Sequence, residues 1–125
     1  MNFKFPKNDG KYFWTQHVAR KMMFYGLSAD RIKRVIRSPG RVEDGVAPDT
    51  IAVMQPSVNK KNPTEIWVMY QQKVKNEKPK RQNFEKDNRK IIISAWRYPG
   101  VSPVGKAIPI PADILEELKN EGVIS

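Results

Sequence analysis

Residues 90–98, with the sequence KIIISAWRY, are the most strongly β-prone stretch of the chain and decide the predicted fold. The run of isoleucines is typical of a strand that is covered on both faces. Alternation along a strand predicts that Ala95 and Arg97 lie on the face opposite to Ser94, Trp96 and Tyr98. We therefore expect residues 90–98 to form the central strand of a sheet.

The remaining strands are predicted upstream of this one. Residues 41–46, 50–55 and 65–74 are rich in β-branched and aromatic residues. The links at 47–49 and 56–63 are short and contain prolines, which favours an antiparallel meander over crossover units.

Two helices precede the strands and one follows them. Residues 16–25 have apolar side chains at helical spacing between a Thr15 cap and Gly26, and a second helix runs from a Ser28 cap to Pro39. The first 14 residues are predicted to form an arm or a short strand. Four prolines make 99–111 an extended connection, and a final amphipathic helix begins with Pro111 at its first position.

The predicted architecture is one α+β domain spanning residues 1–125. A helical hairpin packs on a four-stranded, mainly antiparallel sheet, and 99–125 add a proline-rich extension and a C-terminal helix. A chain of 125 residues is long enough for one hydrophobic core and too short for two.

Composition excludes several classes of protein. The chain has no cysteine and one histidine, so disulfides and thiolate metal sites are absent and a zinc site is not expected. It contains neither a glycine-rich phosphate loop nor a dinucleotide fingerprint, so no cofactor is expected. No apolar run is long enough to span a membrane, so we expect no membrane partner and a cytoplasmic location.

The formal net charge is +10 and favours a polyanionic partner, either RNA or the ribosome. The alternative is that the charge only keeps a small protein in solution.

His17 is the first candidate for acid or base chemistry, because its ordinary pKa lies near neutrality. Helical spacing places Arg20, Lys21 and Phe24 on the same side of the first helix. Neighbouring cations should lower the pKa of His17 and favour the neutral base. The alternative is an ordinary surface histidine.

Basic residues recur at two places that suit nucleic-acid binding. Arg31, Arg34 and Arg37 repeat every three residues along the second helix, and Arg41 follows it. The segment 73–90 has eight basic and three acidic residues, with candidate contacts at Lys78, Lys80, Arg81, Phe84 and Lys90. The alternatives are a solvated helix face and a solvated loop. The acidic C-terminal helix would either dock over the basic surface or lie on the opposite side.

Several short motifs resemble the RelE-like toxin fold, and within it a branch of uncharacterised domains related to BrnT. They are Thr15-Gln16-His17, Lys21-Met22, Tyr25-Gly26-Leu27-Ser28, Ile32, Val35-Ile36, Pro39, and the run Ile93 to Tyr98. The resemblance covers residues 12–98.

The resemblance implies a metal-free endoribonuclease, often a toxin of a toxin–antitoxin pair, in which a ribose 2′-hydroxyl attacks the adjacent phosphate. It maps the family's histidine onto His17, its basic helix residue onto Lys21 and its strand-end arginine onto Arg97. In the mechanism that we expect, His17 or Lys21 is the base, Arg97 clamps the phosphate, and Tyr98 or Lys90 is the acid. This mechanism requires His17 and Arg97 to meet over a common positively charged hollow. Tyr25 replaces an arginine usual in that family. The alternatives are a noncatalytic protein of the same fold that binds nucleic acid or the ribosome, and a partner-binding protein that uses its acidic C-terminal helix.

Overall fold

The computed structural model describes residues 5–57, 61–72 and 89–124. Within them the elements are β1 (Tyr12–Trp14), α1 (Gln16–Tyr25), α2 (Ala29–Arg37), β2 (Arg41–Asp44), β3 (Thr50–Pro56), β4 (Thr64–Gln72), β5 (Lys90–Pro99) and α3 (Ala112–Asn120). The strands form one mixed sheet in the order β1-β5-β4-β3-β2. β1 is parallel to β5, and the other neighbours are antiparallel. The fold is α+β, as expected.

The prediction of four strands is wrong, because residues 12–14 add a fifth. Tyr12, Phe13 and Trp14 pair in parallel with Lys90, Ile91 and Ile92. The Asn8 side chain accepts a hydrogen bond from the Trp14 backbone at 2.6 Å and so holds the incoming chain against the sheet. The N-terminal segment therefore completes the sheet at β5, which makes β5 an interior strand.

Strand ends differ from the predictions by a few residues. β2 ends at Asp44, before the predicted Val46, because the Gly45 amide bonds to the Thr50 carbonyl and closes a turn. β4 spans 64–72, and the predicted continuation to 74 lies outside the described residues.

The helix boundaries follow from capping chemistry. Thr15 Oγ1 accepts from the Val18 amide at 3.1 Å, and Gly26 ends α1 in the left-handed region at φ 67°. Ser28 Oγ accepts from the Arg31 amide at 3.1 Å and starts α2. Pro111 is the N-cap of α3 and not its first helical residue, because its ψ of 146° is extended.

Both faces of the sheet are covered, which confirms that 90–98 form a strand with neighbours on both faces, but the middle strand of the sheet is β4 and not β5. Ile92 and Ala95 of β5 pack with α1 and α2 on one face. On the other face Trp96 stacks on Trp67 with ring centroids 6.2 Å apart, and Ile114 and Leu118 of α3 join this second core. In the three described ranges, no helix combines the length and the apolar character that crossing a membrane requires.

A buried carboxylate anchors the proline-rich connection that leads to α3. Glu65 is 3% exposed, and its Oε1 accepts from Trp67 Nε1 at 3.1 Å and from Ser102 Oγ at 2.6 Å. Its Oε2 accepts from the Ser102 amide at 3.1 Å. Arg41 donates to Ser102 Oγ at 2.8 Å from above the Trp67 ring. These contacts fix the chain just after β5 and direct it across the second face of the sheet.

We predict that Glu65→Gln destabilises the protein by about 1–3 kcal/mol, because the new amide group presents a donor where all three partners also donate. Urea unfolding monitored by tryptophan fluorescence measures the change. Glu116→Gln is the matched control, since Glu116 lies on α3 and has no hydrogen bond to the proline-rich connection within the described ranges. Equal unfolding midpoints for the two variants would show that the Glu65 contacts contribute nothing to stability.

Candidate functional site

The acidic helix α3 lies over the basic side of α1. Lys21 Nζ donates at 3.0 Å to Asp113 Oδ2 and at 3.0 Å to Glu117. Arg20 Nη2 donates at 2.7 Å to Glu121 Oε1. Of the two placements of α3 that the sequence left open, the structure has the one over the cations.

His17 is buried between α1, β5 and α3 and is not a surface histidine. Its side chain is 3% exposed, and Nε2 lies 2.9 Å from Ser94 Oγ. Nδ1 lies 3.4 Å from Glu117 Oε2 and 3.5 Å from Glu121 Oε2. Neither Nδ1 nor Glu117 Oε2 makes a hydrogen bond within the described residues, so the glutamates act on the ring through their charge. The direction of the hydrogen bond between Nε2 and Ser94 Oγ depends on the tautomer of the ring.

Burial lowers the pKa of His17, the two glutamates act in the opposite direction, and Lys21 and Arg20 add a smaller lowering effect. The direction agrees with the sequence-based prediction, but its main cause is desolvation and not the neighbouring cations.

Lys21 is held as a cation. It is 7% exposed. Burial works to lower its pKa, but the hydrogen bonds to Glu117 and Asp113 outweigh burial and raise the pKa above 10.5. Lys21 in this arrangement is therefore a charged partner of α3 and is not available as a base near neutral pH.

The contacts of Ser94, His17 and Glu117 follow the order of the nucleophile, base and carboxylate of serine hydrolases. Ser94 is fully buried, however. A pocket of about 180 Å³ lies beside His17 but does not include Ser94 in its lining, which consists of Thr15, Gln16, His17, Ile93, Leu118, Glu121 and Val123. Ser94 and His17 therefore form a buried hydrogen bond between β5 and α1, and Glu117 of α3 adds a nearby negative charge.

Arg97 points to the other side of the sheet from Ser94. Trp96 and Tyr98 belong to the core under α3, so alternation directs Arg97 toward α1 and α2. Its Nη2 donates at 3.4 Å to the carbonyl of Tyr25, the last residue of α1. His17 lies in the first turn of that helix, about 12 Å away along its axis. The structure does not bring His17 and Arg97 to a common hollow.

Arg97 lies instead with the arginine row of α2. Burial lowers the pKa of Arg31, and the positive charges of Arg34 and Arg97 lower it further. Arg37 is exposed in the last turn of the same helix. Within the described ranges, none of these four arginines forms an ion pair with a carboxylate. Sequence spacing identified the row on α2 but not its continuation by Arg97, because that proximity depends on how α2 packs on the sheet.

The other candidate residues are dispersed. Arg41 is bonded to Glu43 at 3.1 Å and to Ser102, so its guanidinium is already engaged. Tyr98 packs in the second core. Lys90 pairs with Tyr12 at the opposite end of β5. The candidates that lie outside the described residues are Lys78, Lys80, Arg81 and Phe84. Among the residues that the structure describes, no group of three His, Cys, Asp or Glu is arranged to hold a metal ion.

The lowered pKa of His17 predicts that the protein loses stability as the pH falls below about 6.5. The unfolded chain then binds the proton more readily than the folded one, and the unfolding free energy falls by at most about 1.4 kcal/mol per pH unit. Urea unfolding at pH 7.5 and 5.5 measures this slope, and His17→Gln should flatten it. Asp113, whose pKa is lowered from 3.8 despite burial because Lys21 bonds to it, titrates below this range. Equal slopes for wild type and variant would contradict the prediction.

Comparison of the chain with protein-family models, with curated proteins and with solved structures found no match in any of the three.

Proposed function

We propose that this protein binds nucleic acid without cleaving it, through an arginine surface made of Arg31, Arg34 and Arg37 of α2 and Arg97 of β5. The observation that carries the proposal is that Arg97 lies with the arginines of α2 and that, among the described residues, none of these arginines forms an ion pair with a carboxylate. Burial lowers the pKa of Arg31, and the charges of Arg34 and Arg97 lower it further.

Like charges held together are unfavourable unless an anion lies between them. A guanidinium offers paired donors in one plane, which match the oxygens of a phosphate diester. A phosphate at the arginine surface would therefore relieve the repulsion and form charge-assisted hydrogen bonds. The formal net charge of +10 would add attraction at longer range.

The distribution of acidic residues supports the same surface. Asp113, Glu117 and Glu121, which α3 and its C-terminal end supply, neutralise the cations of α1. The basic side of α1 is thus compensated within the chain, while the arginine surface has no such partner in the described ranges. A polyanion that binds at α2 therefore does not have to displace carboxylates, whereas one that binds at α1 would have to.

The double variant Arg31→Ala, Arg34→Ala tests the proposal. We expect weaker binding of a short single-stranded RNA, and a plot of log affinity against log salt whose slope is smaller by about 0.7 for each phosphate that the variant no longer neutralises. Fluorescence anisotropy across a salt series measures both quantities.

Arg20→Ala is the matched control, because it also removes one arginine charge but from a guanidinium already bonded to Glu121. Its effect on affinity should be smaller than half of the effect of the double variant. Equal decreases per arginine removed would mean that only net charge matters and would contradict a defined arginine surface.

The endoribonuclease suggested by the RelE-like resemblance is the second candidate, with an antitoxin or the ribosome as its further partners. The buried neutral imidazole of His17 beside two cations favours it. Cleavage by these groups requires that the carboxylates of α3 leave Lys21 and His17, and that the substrate reach Arg97 at the other end of α1.

An RNA digestion assay separates the two candidates. A nuclease of this type cuts RNA without metal, and His17→Ala with Arg97→Ala abolishes the cutting while the protein stays folded. Binding by the wild type without any cutting favours the first proposal, and cutting that survives the double substitution rejects the mechanism.

A further inference from the structure

Phe24 is a large aromatic side chain that the fold leaves in solvent. It lies near the end of α1, and 72% of its surface is exposed. The ring nevertheless has defined neighbours, since the Tyr25 ring meets it edge-on at 4.8 Å and 84° and Lys21 Nζ lies 5.5 Å from its centroid. Phe24 therefore presents an exposed apolar ring that contacts the neighbouring side chains of Tyr25 and Lys21.

Chain geometry places the backbone of Phe24 near Arg97, one member of the arginine surface. The Tyr25 carbonyl that accepts from Arg97 belongs to the following residue. Because consecutive Cα atoms are about 3.8 Å apart, the Phe24 Cα lies within about 10 Å of the Arg97 guanidinium. An aromatic ring and a phosphate-binding arginine at this separation are close enough to serve neighbouring parts of one nucleic-acid strand.

We propose that Phe24 stacks on an unpaired base, so that the ligand of the arginine surface is a single-stranded nucleic acid. This inference rests on the proposed function, to which it adds the class of ligand. A base in a duplex already has both faces covered, whereas a base in a single strand offers a free face to an aromatic ring. Stacking on a protein aromatic ring strengthens binding by about 5- to 150-fold per base.

The charges around the Phe24 ring favour a nucleic-acid strand over an apolar protein surface as its partner. Lys21 lies against the ring and Arg97 bonds to the next residue. Lys21 is already paired with Asp113 and Glu117, but Arg97 has no carboxylate partner within the described ranges. An apolar surface brought onto Phe24 would therefore remove water from Arg97 without offering it a new partner. A nucleic-acid strand supplies an aromatic face for Phe24 and an anionic group for Arg97 together.

The test compares Phe24→Ala with Met23→Ala. Met23 is the matched control, because it is the preceding residue and is also exposed, at 52%. Since both side chains are mainly in solvent, neither change should lower the urea midpoint appreciably. Four fluorescent or competing ligands are used: single-stranded RNA, single-stranded DNA of the same sequence, the duplex of that DNA, and inorganic polyphosphate.

We expect Phe24→Ala to weaken binding of the single strands by about 5- to 150-fold while the salt slope stays unchanged. Binding of the duplex and of polyphosphate should be the same for wild type and variant, because neither exposes an unstacked base. Phe24→Trp should retain single-strand affinity, and Met23→Ala should resemble wild type. The RNA and DNA arms show whether the sugar matters, and a decrease of affinity in either arm supports the stacking role.

Other outcomes overturn the inference in recognisable ways. Equal binding by Phe24→Ala and wild type, together with weaker binding by the Arg31 and Arg34 double variant, rejects stacking and leaves the arginine surface standing. Equal decreases for polyphosphate and single strands assign Phe24 a structural effect and also reject stacking. Failure of the wild type to bind any of the four ligands rejects both proposals.

Discussion

The ammonium group of Lys21 is buried against α3, and the arrangement of the molecule depends on how that charge is balanced. A buried cation without a partner is strongly destabilising. The carboxylates of Asp113 and Glu117 lie 3.0 Å from Lys21 Nζ and replace the hydrogen bonds that water would otherwise provide. Because both carboxylates are on α3, balancing Lys21 also positions that helix. The same placement puts Ile114 and Leu118 on the second face of the sheet.

The pairing of α1 with α3 divides the charges of the protein into two regions. On one side, cations and carboxylates lie within hydrogen-bonding distance and compensate each other. On the other, the guanidinium groups of Arg31, Arg34 and Arg97 lie near one another, and no carboxylate pairs with them in the described part of the chain. A net charge of +10 is a property of the whole sequence, but where the uncompensated part of it lies depends on this division.

Local signals in the sequence predicted the elements that local chemistry determines. The caps at Thr15 and Ser28 and the glycine at 26 set the ends of α1 and α2, and strand alternation assigned Trp96 and Ala95 to opposite faces. The sequence does not distinguish an arm from a strand at β1, because three residues are too few to show a periodicity and the partner strand is almost eighty residues away in the chain.

The separation of His17 from Arg97 is not visible in the sequence for a related reason. Spacing along α1 says which residues share a side, but only the packing of α1 against β5 decides which layer of the fold that side faces. Charge complementarity between α3 and the rest of the chain was visible, yet it gave two placements, and the apolar contacts of Ile114 and Leu118 accompany the one adopted.

The parallel pairing of Tyr12–Trp14 with Lys90–Ile92 bears on how the chain is assembled during translation. The helices α1 and α2 leave the ribosome long before β5, so the apolar sides of Val18, Met22 and Ile32 have no interior strand to cover them while the middle of the chain is being made. Contacts between residues so distant in the chain form slowly, because the entropy lost in closing a long loop opposes them. We therefore expect the apolar side chains of the N-terminal half to be most exposed to aggregation before β5 has been synthesised.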